Sequence, residues 1–382
     1  MKKVLVPRVR FKGFDDNWEQ GNIGEVFELT RGEVLSQRKI RNKKMGEYIY
    51  PVFSSQTLNN GLLGFYNNFL FKNSITWTTD GANAGTVLYR DGLFYATNVC
   101  GVMLQKTSIK PSSYFAHEIN VKVKKHVIKA GNPKLMINVL HEVLINFSKN
   151  KLEQEKISIL IENIDNLITL EQSKLNKLKQ LKETLLQKMF PEGNSKIPRI
   201  RFKGFEGEWK EEKLDDIFKV ITGGEPPKNY KNSKHPVGKY KYPIYSNGQE
   251  ANAIWGFSDN YSINTEAITI SSIGTIGFPV VRKMFFTPII RLKTLLPYNK
   301  NMNINFLNLS VSQINFSFNQ AGIPSMNSNQ LKDNIILISR NFSEQQKIGD
   351  FFCKIDTLID LYQSKLNKLK QIKEALLQKM FV

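Results

Sequence analysis

The nine residues QSKLNKLKQ at positions 172–180 return letter for letter at positions 363–371, displaced by 191 residues in a chain of 382. Around them, residues 153–190 align without a gap on residues 344–381, and 26 of these 38 positions are identical. Apolar side chains recur at Ile157, Leu160/Ile161, Ile164, Leu167/Ile168, Leu175, Leu178, Leu181, Leu185 and Met189 with no Gly or Pro between them, which is a helical period. Each copy therefore predicts one helix, roughly 57 Å long at about 1.5 Å per residue. A helix of that length cannot bury its apolar stripe against one small domain, so the two stripes are expected to bury each other. The positions expected to do so are Ile157, Ile164, Ile168, Leu178 and Leu185 in the first copy, with Ile348, Ile355, Ile359, Leu369 and Leu376 in the second.

Other stretches keep step with the helices. PRVRFKGFDDNWEQ (7–20) returns as PRIRFKGFEGEWKEEKL from position 198. It is expected to be an extended segment leading into a domain, with Phe11, Phe14 and Trp18 packed and Arg8, Arg10 and Lys12 outward. From 22 to 150, short runs of Val, Ile, Phe and Tyr are punctuated by Gly, Asn and Asp, the pattern of a mainly β or mixed domain. The second half follows in outline. YPVFSSQTLNNGLLGFYNN (50–68) resembles residues 242–260, TWTTDGANAGTV (76–87) resembles TISSIGTIGFPV (269–280), and AGNP from 130 meets AGIP from 321. The surfaces between these landmarks have diverged.

Residues 191–197 link the copies, and Val382 with residues 1–6 makes a junction of the same length. A ring with approximate two-fold symmetry follows as the expectation, termini close together. The organisation expected is a domain over 1–150, a central helical spacer over 151–191, a second domain over 192–342 and a C-terminal spacer over 343–382. The fold class expected is α+β: two pseudo-repeated globular α/β domains joined by two long antiparallel helices forming a coiled-coil spacer, with circular pseudo-two-fold symmetry.

The chain is 41% apolar and 11% aromatic, enough for folded cores. Its net charge of +20 divides evenly, with 28 Lys/Arg against 17 Asp/Glu in residues 1–191 and 26 against 17 in residues 192–382. Both halves are thus expected to face a polyanion. Cys100 and Cys353 form no CxxC, which argues against a zinc site or a disulfide framework. MKKVLVPRVRF is too short in apolar residues for a signal-peptide core and no run of about 18 apolar residues occurs, so a cytoplasmic location is expected.

Catalytic signatures are missing. An amino-methyltransferase needs an Asn/Asp-Pro-Pro-aromatic motif, and the nearest strings, NPKL at 132 and EPPK at 225, do not fit. No Gly-x-Gly-x-x-Gly or Walker loop is present, and His141-Glu142 lacks a second His four residues on. His117, His126, His141 and His235 are scattered, and the Glu-x-Lys strings at 208–213 lack a Pro-Asp partner. The chain is therefore expected to be non-catalytic, with no metal or cofactor of its own.

Two diverged basic domains suit the reading of two short sequences on one duplex, with phosphates supplying affinity and base edges specificity. The candidate contact stretches are polar, basic and punctuated by Gly. In the first half they supply Arg31, Arg38, Lys39, Arg41, Lys43, Lys44, Gln56, Thr78, Thr79 and Asn83. In the second half they supply Lys228, Asn229, Tyr230, Lys231, Lys234, Asn247, Gln249, Ser271, Ser272 and Thr275. Arg and Lys can pair with guanine, and Asn and Gln with adenine, in bidentate geometry. An adaptor whose paired helices are the working part is the competing class, and steep salt dependence of DNA binding separates the two.

The whole chain resembles the specificity subunit of Type I restriction-modification systems. The resemblance rests on the two helical stretches ending QKMF, their EQxKI starts at Glu153 and Glu344, and the PRxRFKGF segments at Pro7 and Pro198. It rests also on ITGGEPPKNY from Ile221 and SSIGTIG from Ser271, where the first half departs with DGANAGTV. The resemblance implies two target recognition domains, each reading one half of a bipartite site in double-stranded DNA. It implies a helical spacer that is the platform for two modification (methyltransferase) subunits, joined by restriction (translocase and nuclease) subunits. S-adenosylmethionine, ATP and magnesium would sit on those partners, and adenine would be the methylated base. Domains centred about one helical turn apart, roughly 10 base pairs, leave a gap of about six between half-sites.

Overall fold

The computed structural model describes residues 5–55, 58–248, 253–299, 301–320 and 322–381, with the backbone alone at Leu58. Two compact units divide the chain, residues 1–172 with 364–382 and residues 173–363. The division falls inside each long helix. Each unit therefore holds the first part of its own helix and the last part of the other copy's.

In the first unit a short pair, β1 (Glu19–Asn22) with β8 (Leu144–Phe147), flanks a six-stranded sheet. That sheet is built from β2 (Phe27–Arg31), β3 (Tyr50–Phe53), β4 (Leu62–Tyr66), β5 (Phe71–Thr78), β6 (Val87–Ala96) and β7 (Cys100–Gln105), in the order β2-β7-β5-β6-β3-β4. The β-rich runs form it because its central strands are covered on both faces: Ile75, Trp77, Phe94 and Val102 are all buried. Helices α1 (Ile23–Val26), α2 (Ser113–Val123) and α3 (Ile137–His141) precede the long α4 (Lys151–Met189).

The second unit repeats this plan. Strands β9 (Lys210–Lys213) and β18 (Ile335–Ile338) form the short pair. The large sheet is divided in two. Strands β10 (Phe218–Thr222), β14 (Ala267–Ser271), β15 (Gly277–Arg282) and β17 (Lys293–Pro297) pair in the order β10-β17-β14-β15. Strands β11 (Tyr230–Lys231), β12 (Tyr242–Tyr245), β13 (Ile254–Ser258) and β16 (Thr287–Pro288) pair as β11-β13-β12-β16. What is one ten-residue strand in the first unit, β6, is here β15 and β16, separated by a segment in which Phe285 takes a positive φ of 68°. Helices α5 (Leu214–Ile217), α6 (Ile304–Ser312) and α7 (Ser328–Lys332) lead to the long α8 (Phe342–Met380).

Both long helices are 39 residues. Their inward positions alternate by four and three: Ile157, Ile161, Ile164, Ile168, Glu171, Leu175, Leu178, Lys182, Leu185, Met189 in α4, and the same positions 191 later in α8. That is a heptad seam, along which Ile157, Ile164, Ile348 and Ile355 are buried and Ile168, Leu178, Leu185, Ile359, Leu369 and Leu376 half-buried. Within the first unit Lys373 Nζ donates to Asp165 Oδ1 (2.5 Å) and Lys365 Nζ to Glu171 Oε1 (3.0 Å). Within the second, Lys182 Nζ donates to Asp356 Oδ1 (2.5 Å), the symmetry mate of the first bond. One number falls as the other rises, so the helix segments run antiparallel. Leu181 does not belong to the seam as its apolar character suggested: it is 49% exposed and its mate Ile372 41%, because position 181 falls one residue short of the inward Lys182.

The same anchor opens both units. Asn150 Oδ1 accepts from the Leu152 and Glu153 amides, and Asn341 Oδ1 from those of Ser343 and Glu344, so each helix begins on an N-cap. Fully buried Glu153 receives a two-bond fork from Arg10 (2.5 and 2.9 Å), and Glu344 receives the same from Arg201 (2.5 and 2.8 Å). Arg10 thus points inward, against the outward placement expected from alternation. The segment around it is turns and bends rather than a strand, so period-two reasoning does not apply. Trp18 stays packed, edge-on to Tyr114 and to Phe381 at the end of α8, while Trp209 packs on Phe190 at the end of α4.

Candidate nucleic-acid interface

In the first unit the chain leaves β2 at Arg31 and runs over the outer edge of the sheet. Arg41 pairs its backbone with Phe65 of β4 (2.9 and 2.8 Å), an approach open only because Gly64 has no side chain: a Cβ there would stand 2.6 Å from the Arg41 carbonyl. Arg38, Lys39, Arg41, Lys43 and Lys44 are exposed. Arg41 lies 5.1 Å over the ring of Tyr48 and Lys44 5.6 Å over Phe65. Arg31 is exposed as well, and none of the six makes an ion pair among the described residues.

The second unit uses the same glycine seat. Gly256 of β13 lets the Lys231 carbonyl come within 2.6 Å of where a Cβ would be, and the stretch around it exposes Lys228, Asn229, Tyr230, Lys231 and Lys234. The Tyr230 ring lies 4.6 Å from that of Trp255, tilted at 47°, and Lys231 lies 5.8 Å over Tyr240. Lysines and arginines held over aromatic rings without carboxylate partners present a charge that is pre-positioned yet unneutralised.

The remaining candidates are placed differently. Thr78 and Thr79 are 9% and 2% exposed, Ser271 and Ser272 2% and 1%, so these are not the solvent-facing loop groups expected. The Thr79 hydroxyl lies 2.6 Å from Asp80 Oδ2 and 3.0 Å from the Val99 carbonyl. Ser272 donates to the Arg291 carbonyl (2.6 Å), and Asn247 Oδ1 accepts from the Ser272 amide (2.8 Å). These four position loops. Asn83, Asn247 and Thr275 are half-buried at the same ends of the sheets. Gln56 and Gln249 lie outside the described residues.

Two arginines inside the strands carried no sequence signal. Arg90 stacks 3.7 Å over Phe53 and donates to Thr76 Oγ1 (3.0 Å) and the Asn60 carbonyl (2.7 Å). Arg282 repeats this over Tyr245 at 3.9 Å, donating to Thr269 Oγ1 (3.0 Å). Burial pushes Arg90 down to about 10, so it keeps its charge at neutral pH, and Cys100 beside it is pushed up to about 11 by burial. In the first unit Arg90 borders a cavity of about 160 Å³ with Ser54, Thr78 and Asn83.

The second unit also has a strained turn where the first has none. Ile290 and Arg291 take positive φ of 52° and 61°, and no residue in 97–99, the matching turn, does so. A β-branched residue there is an outlier, and each such residue costs about 1–3 kcal/mol. The turn is held by Ile290 N to the Gly224 carbonyl (2.8 Å), Arg291 N to the Gly223 carbonyl (2.9 Å) and Asn247 Nδ2 to the Ile290 carbonyl (2.5 Å). It leaves Ile290 and Arg291 exposed. Among the described residues no cluster of metal-binding side chains occurs, and no helix is long and apolar enough to cross a membrane.

Comparison with known proteins agrees with this plan. A Mycoplasma pneumoniae protein whose name marks it as a type I specificity subunit is 32% identical over 331 residues, covering 86% of each chain. The N-terminal part of another such M. pneumoniae protein is 39% identical over 142 residues, 37% of this chain and 74% of that one. Among solved structures, the S subunit of a type I restriction-modification system from M. genitalium superposes with a TM-score of 0.71 at 19% identity, covering 99% of both chains. A chain from a structure on complex assembly and conformational transition of the type I system matches at 0.54 and 14% identity, over 97% of this chain and 99% of that one. The family model of the type I restriction modification DNA specificity domain matches twice, over residues 15–180 and 206–371, with both ends displaced by the same 191 residues as the repeat. The chain therefore belongs to the family of type I restriction-modification DNA specificity subunits.

Proposed function

We propose that this chain selects the DNA sequence for a type I restriction-modification complex, each unit reading one half of a bipartite site. The observation that carries the reading is the pair of unneutralised basic stretches, 38–44 and 228–234, seated by Gly64 and Gly256 on the same edge of two copies of one scaffold. A common seat with different side chains is what two different half-sites require, because phosphate contacts fix register while base-edge contacts differ. The paired helices act as the spacer between half-sites and as the platform for two modification subunits, with restriction subunits joining them. The chemistry, adenine methylation and cleavage, belongs to those partners, which would bind S-adenosylmethionine, ATP and magnesium. This chain contributes no catalytic group.

The test is adenine methylation mapped across a genome with the chain co-expressed with modification subunits and then omitted. A bipartite motif with a gap of about six base pairs, present only with the chain, is the expected result. An unchanged methylation pattern without it would sink the reading and favour an adaptor. Four residues, about one turn, inserted into both helices should lengthen the gap.

A further inference from the structure

One rung of the sheet differs between the units in a way the fold alone does not explain. In the second unit Thr222 stands opposite Lys293, and Lys293 opposite Ile270. The same rung in the first unit carries Arg31 opposite Gly101, and Gly101 opposite Trp77. Directly opposed residues share a face of the sheet. In the first unit the Trp77 ring fills that face, since a Cβ on Gly101 would lie 2.2 Å from it, and the rung's cation is the exposed Arg31. In the second unit the smaller Ile270 leaves room and the cation is Lys293, only 5% exposed.

Lys293 Nζ donates to Thr222 Oγ1 (3.0 Å) and Ser328 Oγ (2.9 Å) and makes no ion pair among the described residues. Burying an ammonium without a carboxylate works against folding. Its pKa is pushed down, first by burial and then by the charge of Arg291. Two of its three protons are used, leaving one. The two hydroxyls lie 3.2 Å apart, so one hydroxyl proton can be shared between them and the other is left over. Beside them stands the strained turn that holds Arg291 outward.

We propose that Lys293, with Thr222, Ser328 and Arg291, forms a subsite for one phosphodiester group of duplex DNA, the counterpart of Arg31 in the first unit. The proposal rests on the DNA-reading function above. An oxyanion would supply the missing counter-charge and accept the two spare protons, and the compact ammonium acts on a phosphate as a point charge.

The experiment compares the full wild-type chain with Lys293→Met, each in complex with modification subunits, on a duplex of about 40 base pairs carrying the mapped site. Binding is measured from low to high salt. The variant should lower the slope of log affinity against log salt by about one, weaken all sequences alike, and melt at the same temperature or higher. Lys293→Arg should keep the slope. A folded Lys293→Met variant with unchanged slope and affinity overturns the subsite, as does a lower melting temperature with binding intact. If inorganic phosphate raises the melting temperature of the wild type but not the variant, while duplex binding is equal, the site takes a free oxyanion and the assignment to DNA fails. A wild-type complex with no salt-dependent binding overturns the subsite and the DNA-reading function together.

Discussion

The two units share one anchor and differ in how they finish it. In the first, Trp18 Nε1 donates to Glu153 Oε2 (3.2 Å) beside the Arg10 fork; in the second, the buried Trp209 Nε1 has no partner among the described residues although the Arg201–Glu344 fork is unchanged. The first unit keeps one unbroken six-stranded sheet, and the second divides it and adds a strained turn. The second copy therefore carries more local backbone cost at that end of its sheet.

The largest effect should come from breaking the anchor. Glu153→Ala leaves Arg10 unpaired at a site where the glutamate is fully buried, and a loss of about 3–5 kcal/mol in unfolding free energy is expected. Glu344→Ala should cost less, since no indole bond is lost with it. Equal losses would mean that the Trp18 bond contributes nothing.

The next difference is pH. Glu118 of α2 is fully buried, accepts from the Asn146 amide (2.9 Å) and is pushed up to about 7 by burial; α6, its counterpart, contains no carboxylate. Because the folded state raises this pKa above the unfolded value, its contribution is complete at low pH. It is lost as pH rises from about 4.5 toward and beyond 7, by at most about 3 kcal/mol. Denaturant melts between pH 5 and 8 should show this decline, and Glu118→Gln should flatten it. A slope that survives the substitution would place the titration elsewhere.

A smaller effect tests the rung itself. Gly101→Ala drives a methyl into Trp77 and should cost about 1–3 kcal/mol, and Trp77→Ile, which imitates the second unit, should recover part of it. No recovery would mean that the rungs are not equivalent. Smallest of all, Asp165→Asn and Asp356→Asn remove symmetry-related, partly exposed bridges to Lys373 and Lys182. Each should cost below about 1 kcal/mol, and the two costs should match.

The duplication, the long helices and the register of their seam were legible in the amino-acid sequence, because a strict repeat and a heptad period are properties of the chain order itself. The basic stretches at 31–44 and 228–234 were legible too, since so many Lys, Arg and Asn side chains in a short span have no place but the surface. What only the tertiary structure decided were the pairings between distant residues. Arg10 turns inward because Glu153, 143 positions away, is buried beneath it. Thr78 and Ser271 end strands β5 and β14 and, with Thr79 and Ser272 just beyond them, are covered by packing that the local sequence does not display. Arg90, Arg282 and Lys293 lie in strands whose sequence reads as core, and their charges acquire meaning only from the rings and hydroxyls that three-dimensional packing brings against them. Local patterning decides which segments become helix or strand; the environment of a buried charge is set by neighbours that the chain reaches only after folding.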